Sequence, residues 1–200
     1  MSGEMENPLV IGKAAKPRCF RNLNIRKLPV ECRSNKKAWI TSQIMEEWLT
    51  AFNGRMKMQN QHVLLFLDNA TCHSLIKLSN MRLAWFPPNT TRVSQPVDQG
   101  IIQNVKVHYH KLLMQSLLPN MDCTSSCSEL ARTVSVLDAV IWISQAVKKL
   151  LSKTVTRCFE EAGFFTGEVS LTTGKNKEKA RTLIFSSVQC NVCMCSMIIL

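Results

Sequence analysis

Along the first half of the chain apolar residues gather in short unbroken blocks around one amphipathic stretch, and in the second half they recur every three or four positions. Residues 8–12, PLVIG, read as a short buried strand. The runs His62–Leu67 and Met81–Phe86 are continuous, the pattern of strands buried on both faces of a parallel sheet; the first ends at Asp68 and Asn69, the second at Pro87 and Pro88. Between the strands, Ala38, Trp39, Ile44, Met45, Trp48, Leu49 and Phe52 have helical spacing, with Asn53 and Gly54 as the stop. Downstream, Ile101, Ile102, Val105, Tyr109, Leu112, Leu113 and Leu117 predict a helix closed by Pro119 and Asn120. Residues 120–133, rich in Ser, Thr and Cys, predict a linker. A further helix is predicted over 135–151, and a short one over 153–162 before Gly163. Past Phe165 no periodicity emerges, and no internal repeat is visible. The expectation is an α/β chain with polar groups at its strand ends, where such sheets keep their sites.

Charge narrows the partner. The 200 residues carry a net charge of +11, and nine Lys and Arg residues fall between Lys13 and Lys37, opposed only by Glu31. Such a run is either a solvated face or a phosphate-binding one; in the second reading it works by counterion release, with little sequence information. Lys13, Lys16, Arg18, Arg21, Lys36 and Lys37 are the candidate DNA contacts. Nine cysteines without regular spacing, and no basic-then-apolar leader in residues 1–10, favour reduced thiols. Residues 183–200 carry no charge and just reach the length of a minimal membrane span, but Ser186, Ser187, Gln189 and Asn191 weaken that reading, and no membrane association is expected. Residues 166–200 are expected to be a poorly structured tail, basic and then apolar.

Two carboxylates stand out. Phosphodiester cleavage by a metal pair needs acidic ligands on rigid mounts, and strand ends and helix starts supply them. Asp68 follows an apolar strand, and Asp98 heads a helix after Gln95 and Pro96, with 29 residues between the two aspartates. Mg²⁺ takes oxygen ligands and keeps several waters, so two or three carboxylates suffice. Taken singly, each also reads as a turn residue or a helix cap.

Longer segments carry a resemblance. LLFLDNATCHS (64–74), LAWFPPNTTRVSQPVDQGIIQNVKVHY (83–109) and LDAVIWISQAVKKL (137–150) with TVTRCFEEAGF (154–164) are similar to the DDE superfamily endonuclease domain of pogo/Tigger transposases and their host-adopted kin. PLVIGKAAKPRCFRN (8–22) and LPVECRSNKKAWITSQIMEEWL (28–49) resemble the same family, so the likeness covers about residues 8–165. It implies a partial RNase H-like fold, a mixed sheet with flanking helices, followed by C-terminal helices. It also implies that Asp68 and Asp98 match the second and third acidic metal ligands, with His73 near the site.

The departure from the family pattern shapes the functional expectation. Family members carry a first aspartate on an opening strand upstream of the 8–22 block, whereas no Asp precedes Asp68 here, and Glu4 and Glu6 fit no strand motif. The expected function is therefore DNA binding in the nucleus, mainly through non-specific phosphate contacts, without nuclease activity and with Mg²⁺ binding residual or absent. Strands missing between the PLVIG strand and the Asp68 strand would leave two unpaired edges and marginal stability. Two alternatives remain at this stage. One is a Mg²⁺-dependent nuclease completed by a ligand from a partner chain. The other is an interaction module whose helices at 100–118 and 135–162 self-associate or dock a partner, with Trp142 and Phe159 as contacts.

Overall fold

In a computed structural model, described for residues 5–67, 76–86, 96–123, 126–164, 180–190 and 194–199, six strands form one mixed sheet between helices. In chain order the strands are β1 (Leu9–Gly12), β2 (Glu31–Ser34), β3 (His62–Leu67), β4 (Met81–Trp85), β5 (Ala180–Cys190) and β6 (Met194–Ile199). The helices are α1 (Ser42–Met58), α2 (Ile102–Leu117), α3 (Cys127–Arg132), α4 (Val136–Lys148) and α5 (Ser152–Glu161). Of residues 98, 99, 180–190 and 194–199 only the backbone is described.

The sheet order is β2-β1-β6-β5-β3-β4. β1 and β2 are parallel, as are β3 and β4. β5 runs parallel to β3, and β6 runs antiparallel to both β5 and β1. Strands β1, β2, β3 and β4 therefore all point their carboxyl ends the same way. β5 serves two partners in succession: Ala180–Ile184 pair with His62–Phe66 of β3, and Phe185–Cys190 pair with β6. It thus joins one strand set, β2-β1-β6, to another, β3-β4.

That arrangement bears on two expectations. Within its described residues the stretch 166–200, expected to be a poorly structured tail, forms β5 and β6. The edges expected to lie bare on β1 and β3 are both paired, by β6 and β5. β-branched and apolar residues alternate poorly in LIFSSVQC, which is why no period showed; strand formation there comes from edges that offer unpaired N–H and C=O groups.

Helices cover both faces. Leu9 and Ile11 of β1 and Val63, Leu65 and Leu67 of β3 share one buried cluster with Met45, Trp48, Leu49 and Phe52 of α1. On the other face Val10 joins Val105, Tyr109, Val140, Ile143, Val155 and Phe159 from α2, α4 and α5. Phe66 reaches that second cluster and packs edge-on against Phe164 at 5.0 Å between ring centroids. In β3 the burial alternates, with Val63, Leu65 and Leu67 fully buried against α1 and the intervening residues only partly covered; the continuous apolar run had implied equal burial on both faces. Deep burial of Trp48 and Phe52, stacked 5.0 Å apart, makes α1 the clamp across both strand sets.

Helix boundaries depart from the periodicity at identifiable places. α1 begins at Ser42, where the Thr41 hydroxyl accepts from the Ile44 amide, so Ala38 and Trp39 lie outside it. It runs on through Asn53 and Gly54 to Met58: Met56 is buried, Asn53 accepts from the Asn80 amide, and Arg55 pairs with Glu31 at 2.7 Å and Glu6 at 3.9 Å. Those tertiary contacts outweigh the cost of an internal glycine, about 1 kcal/mol. The expected linker at 120–133 includes a 3₁₀ turn, Leu118–Cys123, and α3. α4 opens with a full capping box, in which Ser135 accepts from the Asp138 amide and Asp138 accepts from the Ser135 amide.

Candidate functional site

Two regions carry the residues singled out from sequence. The first lies at the carboxyl ends of β1 and β2. Gly12 and Ser34 are register partners, and the Gly12 carbonyl accepts from the Asn35 amide at 3.0 Å, which brings the residues that follow the two strands together. Lys13 follows one strand, and Lys36 and Lys37 follow the other. Lys16, Arg18 and Arg21 stand on the crossover between them, where Phe20 and Ile25 pack into the core and leave the cations outside. All six are exposed, and among the described residues none of the six is in an ion pair. By contrast, Arg33 lies 3.7 Å from Glu47, so its charge is already opposed. The six candidate DNA contacts are thus exposed cations with no acidic partner among the described residues.

Beside it opens a cavity of about 420 Å³, whose lining includes Val10, Lys13, Phe20, Ile25, Cys32 and Ser34. Burial pushes the Cys32 thiol above its ordinary value, with the Arg33 cation pulling weakly the other way, so it stays protonated at neutral pH. Among the described residues Cys19, Cys32, Cys123, Cys127 and Cys158 are free thiols.

The second region follows β3. Asp68 is next in sequence after Leu67, the last residue of β3, and with His73 it lies outside the described residues. Asp98 falls in a wide turn, Val97–Ile101, that leads directly into α2; its backbone alone is described. Gly100 lets the turn form: its φ is 156°, and a Cβ there would meet the Cys158 sulphur at 3.4 Å. The Asn104 side chain donates to the Gly100 carbonyl at 2.9 Å and steadies the turn. Asp98 thus lies in the turn that leads into α2, and Val97 and Ile101 of that turn are buried.

β5 runs parallel alongside β3, and its residues, ARTLIFSSVQC, include no acid. Several acids elsewhere are engaged: Glu6 and Glu31 with Arg55, Glu47 with Arg33, Asp138 in its capping box, and Glu161 with Arg157 at 3.0 Å. Among the described residues no three His, Cys, Asp or Glu side chains form a group able to hold a metal.

Of the two candidate protein contacts one is corrected: Phe159 is 3% exposed inside the second cluster, whereas Trp142 is partly buried 6.1 Å from Tyr109 and packs against that cluster. A helical stripe looks the same whether it meets another helix of the same chain or a partner. No helix among the described residues is long and apolar enough to cross a membrane.

The family model for the DDE superfamily endonuclease matches residues 2–159. The chain belongs to that family. The family's RNase H-like architecture is consistent with the α/β arrangement seen here. Among curated proteins, this DDE-family chain is similar to Tigger transposable element-derived protein 4 of Mus musculus, 31% identical over 166 residues, covering 82% of this chain and 31% of that protein. It is also similar to the major centromere autoantigen B of Mus musculus, 30% identical over 174 residues, with 86% and 27% covered. ARS-binding protein 1 of Schizosaccharomyces pombe is 34% identical over 161 residues, with 72% and 29% covered. The chain therefore spans about a third or less of the length of these relatives. No solved structure matches it.

Proposed function

We propose that this DDE-family chain binds DNA through the cations around β1 and β2, mainly by non-specific phosphate contacts in the nucleus, and does not cleave it unaided. The observation that carries the binding half is the cluster of exposed, unopposed cations Lys13, Lys16, Arg18, Arg21, Lys36 and Lys37. Polyanion backbones are bound by such a surface through release of condensed counterions. Two relatives lend support: one is an ARS-binding protein and another a centromere autoantigen. The non-cleaving half is supported by β5, which pairs with β3 and contains no acid, beside the two aspartates Asp68 and Asp98 that match the family pattern. Bound Mg²⁺ would supply Lewis-acid activation of water at these aspartates, and any occupancy is expected to be weak.

Duplex affinity measured from 50 to 200 mM salt tests the binding half. A logarithmic slope of about −0.9 for each phosphate contact is expected, so several contacts give a steep fall. An affinity that does not respond to salt would remove this mechanism.

A further inference from the structure

The turn between β2 and α1 has a feature that a plain phosphate-binding surface does not require. Trp39 is 58% exposed, the one aromatic side chain among the exposed large apolar residues described. Its neighbours face the other way: Ala38 is buried, and Ile40 packs against the cluster under α1. The indole is thus directed outward by a segment that is itself anchored.

The anchoring is unusually complete. The Asn35 side chain accepts from the amides of Lys37 at 3.1 Å and Trp39 at 3.2 Å, and its amide donates to the Trp39 carbonyl. Ala38 donates to the Asn35 carbonyl and sits at φ 53°, a left-handed conformation that a non-glycine residue adopts only when its surroundings impose it. A strained, fully bonded turn is here holding an indole in solvent between exposed cations: Lys36 and Lys37 on the same turn, and Lys13 at the end of the adjoining strand.

We propose that this turn is a stacking site for an unpaired nucleobase, with Trp39 as the platform and Lys36, Lys37 and Lys13 as partners of the flanking phosphates. The proposal rests on the DNA-binding reading and sharpens it toward single-stranded or locally opened DNA. Aromatic faces interleaved with cations bind single strands because every base offers a π face, whatever its identity. A rigid mount adds to affinity, since little side-chain freedom is lost on stacking.

The test uses the full chain with a short oligothymidylate and a blunt duplex of equal length, followed by anisotropy and by intrinsic fluorescence. Trp48 is buried and Trp85 and Trp142 are partly so; quenching by the oligothymidylate is therefore expected to come from Trp39. Trp39→Ala should abolish most of the quenching and weaken oligothymidylate binding about tenfold, with duplex affinity nearly unchanged. Trp39→Phe, which keeps a π face and serves as the folding control, should retain most of the affinity. Equal oligothymidylate binding by Trp39→Ala and wild type, with duplex still bound, overturns the stacking site but leaves the DNA-binding reading intact. A change in sedimentation on Trp39→Ala without a change in oligothymidylate affinity also overturns it, in favour of a protein contact. Failure of wild type to bind either DNA overturns both.

Discussion

The strand pairs β1–β2 and β3–β4 are built alike and equipped differently. Each is parallel, each directs its carboxyl ends to the same side of the sheet, and α1 packs against both. Past β1 and β2 the chain supplies Lys13, Lys36 and Lys37 with no acid among the first residues. Past β3 it supplies Asp68. One pair therefore carries charge suited to holding a polyanion, and the other is followed by Asp68, which the family pattern matches to an acidic metal ligand. The two chemistries make different demands: phosphate attraction needs only exposed cations, whereas metal-pair catalysis needs a complete carboxylate shell.

The largest expected effect comes from breaking what the pairs share. Trp48→Ala removes a fully buried indole from the cluster joining β1 and β3, and should cost about 3–5 kcal/mol in urea unfolding. Next is the strand that links the two sets. Leu183 pairs with Leu65 inside the sheet, so Leu183→Pro, which removes a ladder donor, should cost on the order of 3 kcal/mol, and a neutral result would mean that β5 is not integral to the sheet. A smaller effect is confined to the aspartate side: Gly100→Ala places a Cβ against Cys158 at an unfavourable φ and should cost about 1 kcal/mol or more, with DNA affinity unchanged. Smallest in stability is Lys36→Ala with Lys37→Ala, within about 0.5 kcal/mol of wild type, yet it should reduce the salt slope of DNA binding by about 2.

Alkaline titration adds a global check. Cys158 is raised by burial first and by Glu161 second, with Arg157 and the Ile101 backbone opposing, and Cys32 is raised by burial. A thiol whose folded value lies above its unfolded one contributes stability in full below the unfolded value and loses it as pH rises toward the folded one. Stability should therefore decline above the ordinary thiol range, and Cys158→Ser should flatten that decline.

Much of this was legible in the residues. His62–Leu67 and Met81–Phe86 formed strands because unbroken apolar runs of that length leave few other solutions; α4 kept its expected start because its capping box is local, and α5 its expected end because Gly163 follows it at a positive φ. The exposed cations also stood where the sequence placed them, since Lys and Arg seldom bury unpaired. What was not legible depends on partners distant in sequence. Trp39 has helical spacing with Ile44 and Met45, but Asn35 captures its backbone and Thr41 starts the helix later. Gly54 stays helical because Arg55 and Met56 are held from outside α1. Ser186 and Ser187 have no strand signal of their own; β5 exists because β3 and β6 offer it partners, a non-local cause that a window of sequence does not contain.

Supercoiled plasmid incubated with the 200-residue chain and Mg²⁺ or Mn²⁺, beside Asp98→Asn, tests the separation of binding from cutting most directly. The expected result is plasmid bound and retarded by both proteins, with no nicked circles from either. Nicking by the wild-type chain that Asp98→Asn abolishes would contradict the account, because it would show that the carboxylate shell is completed by a group not recognised here.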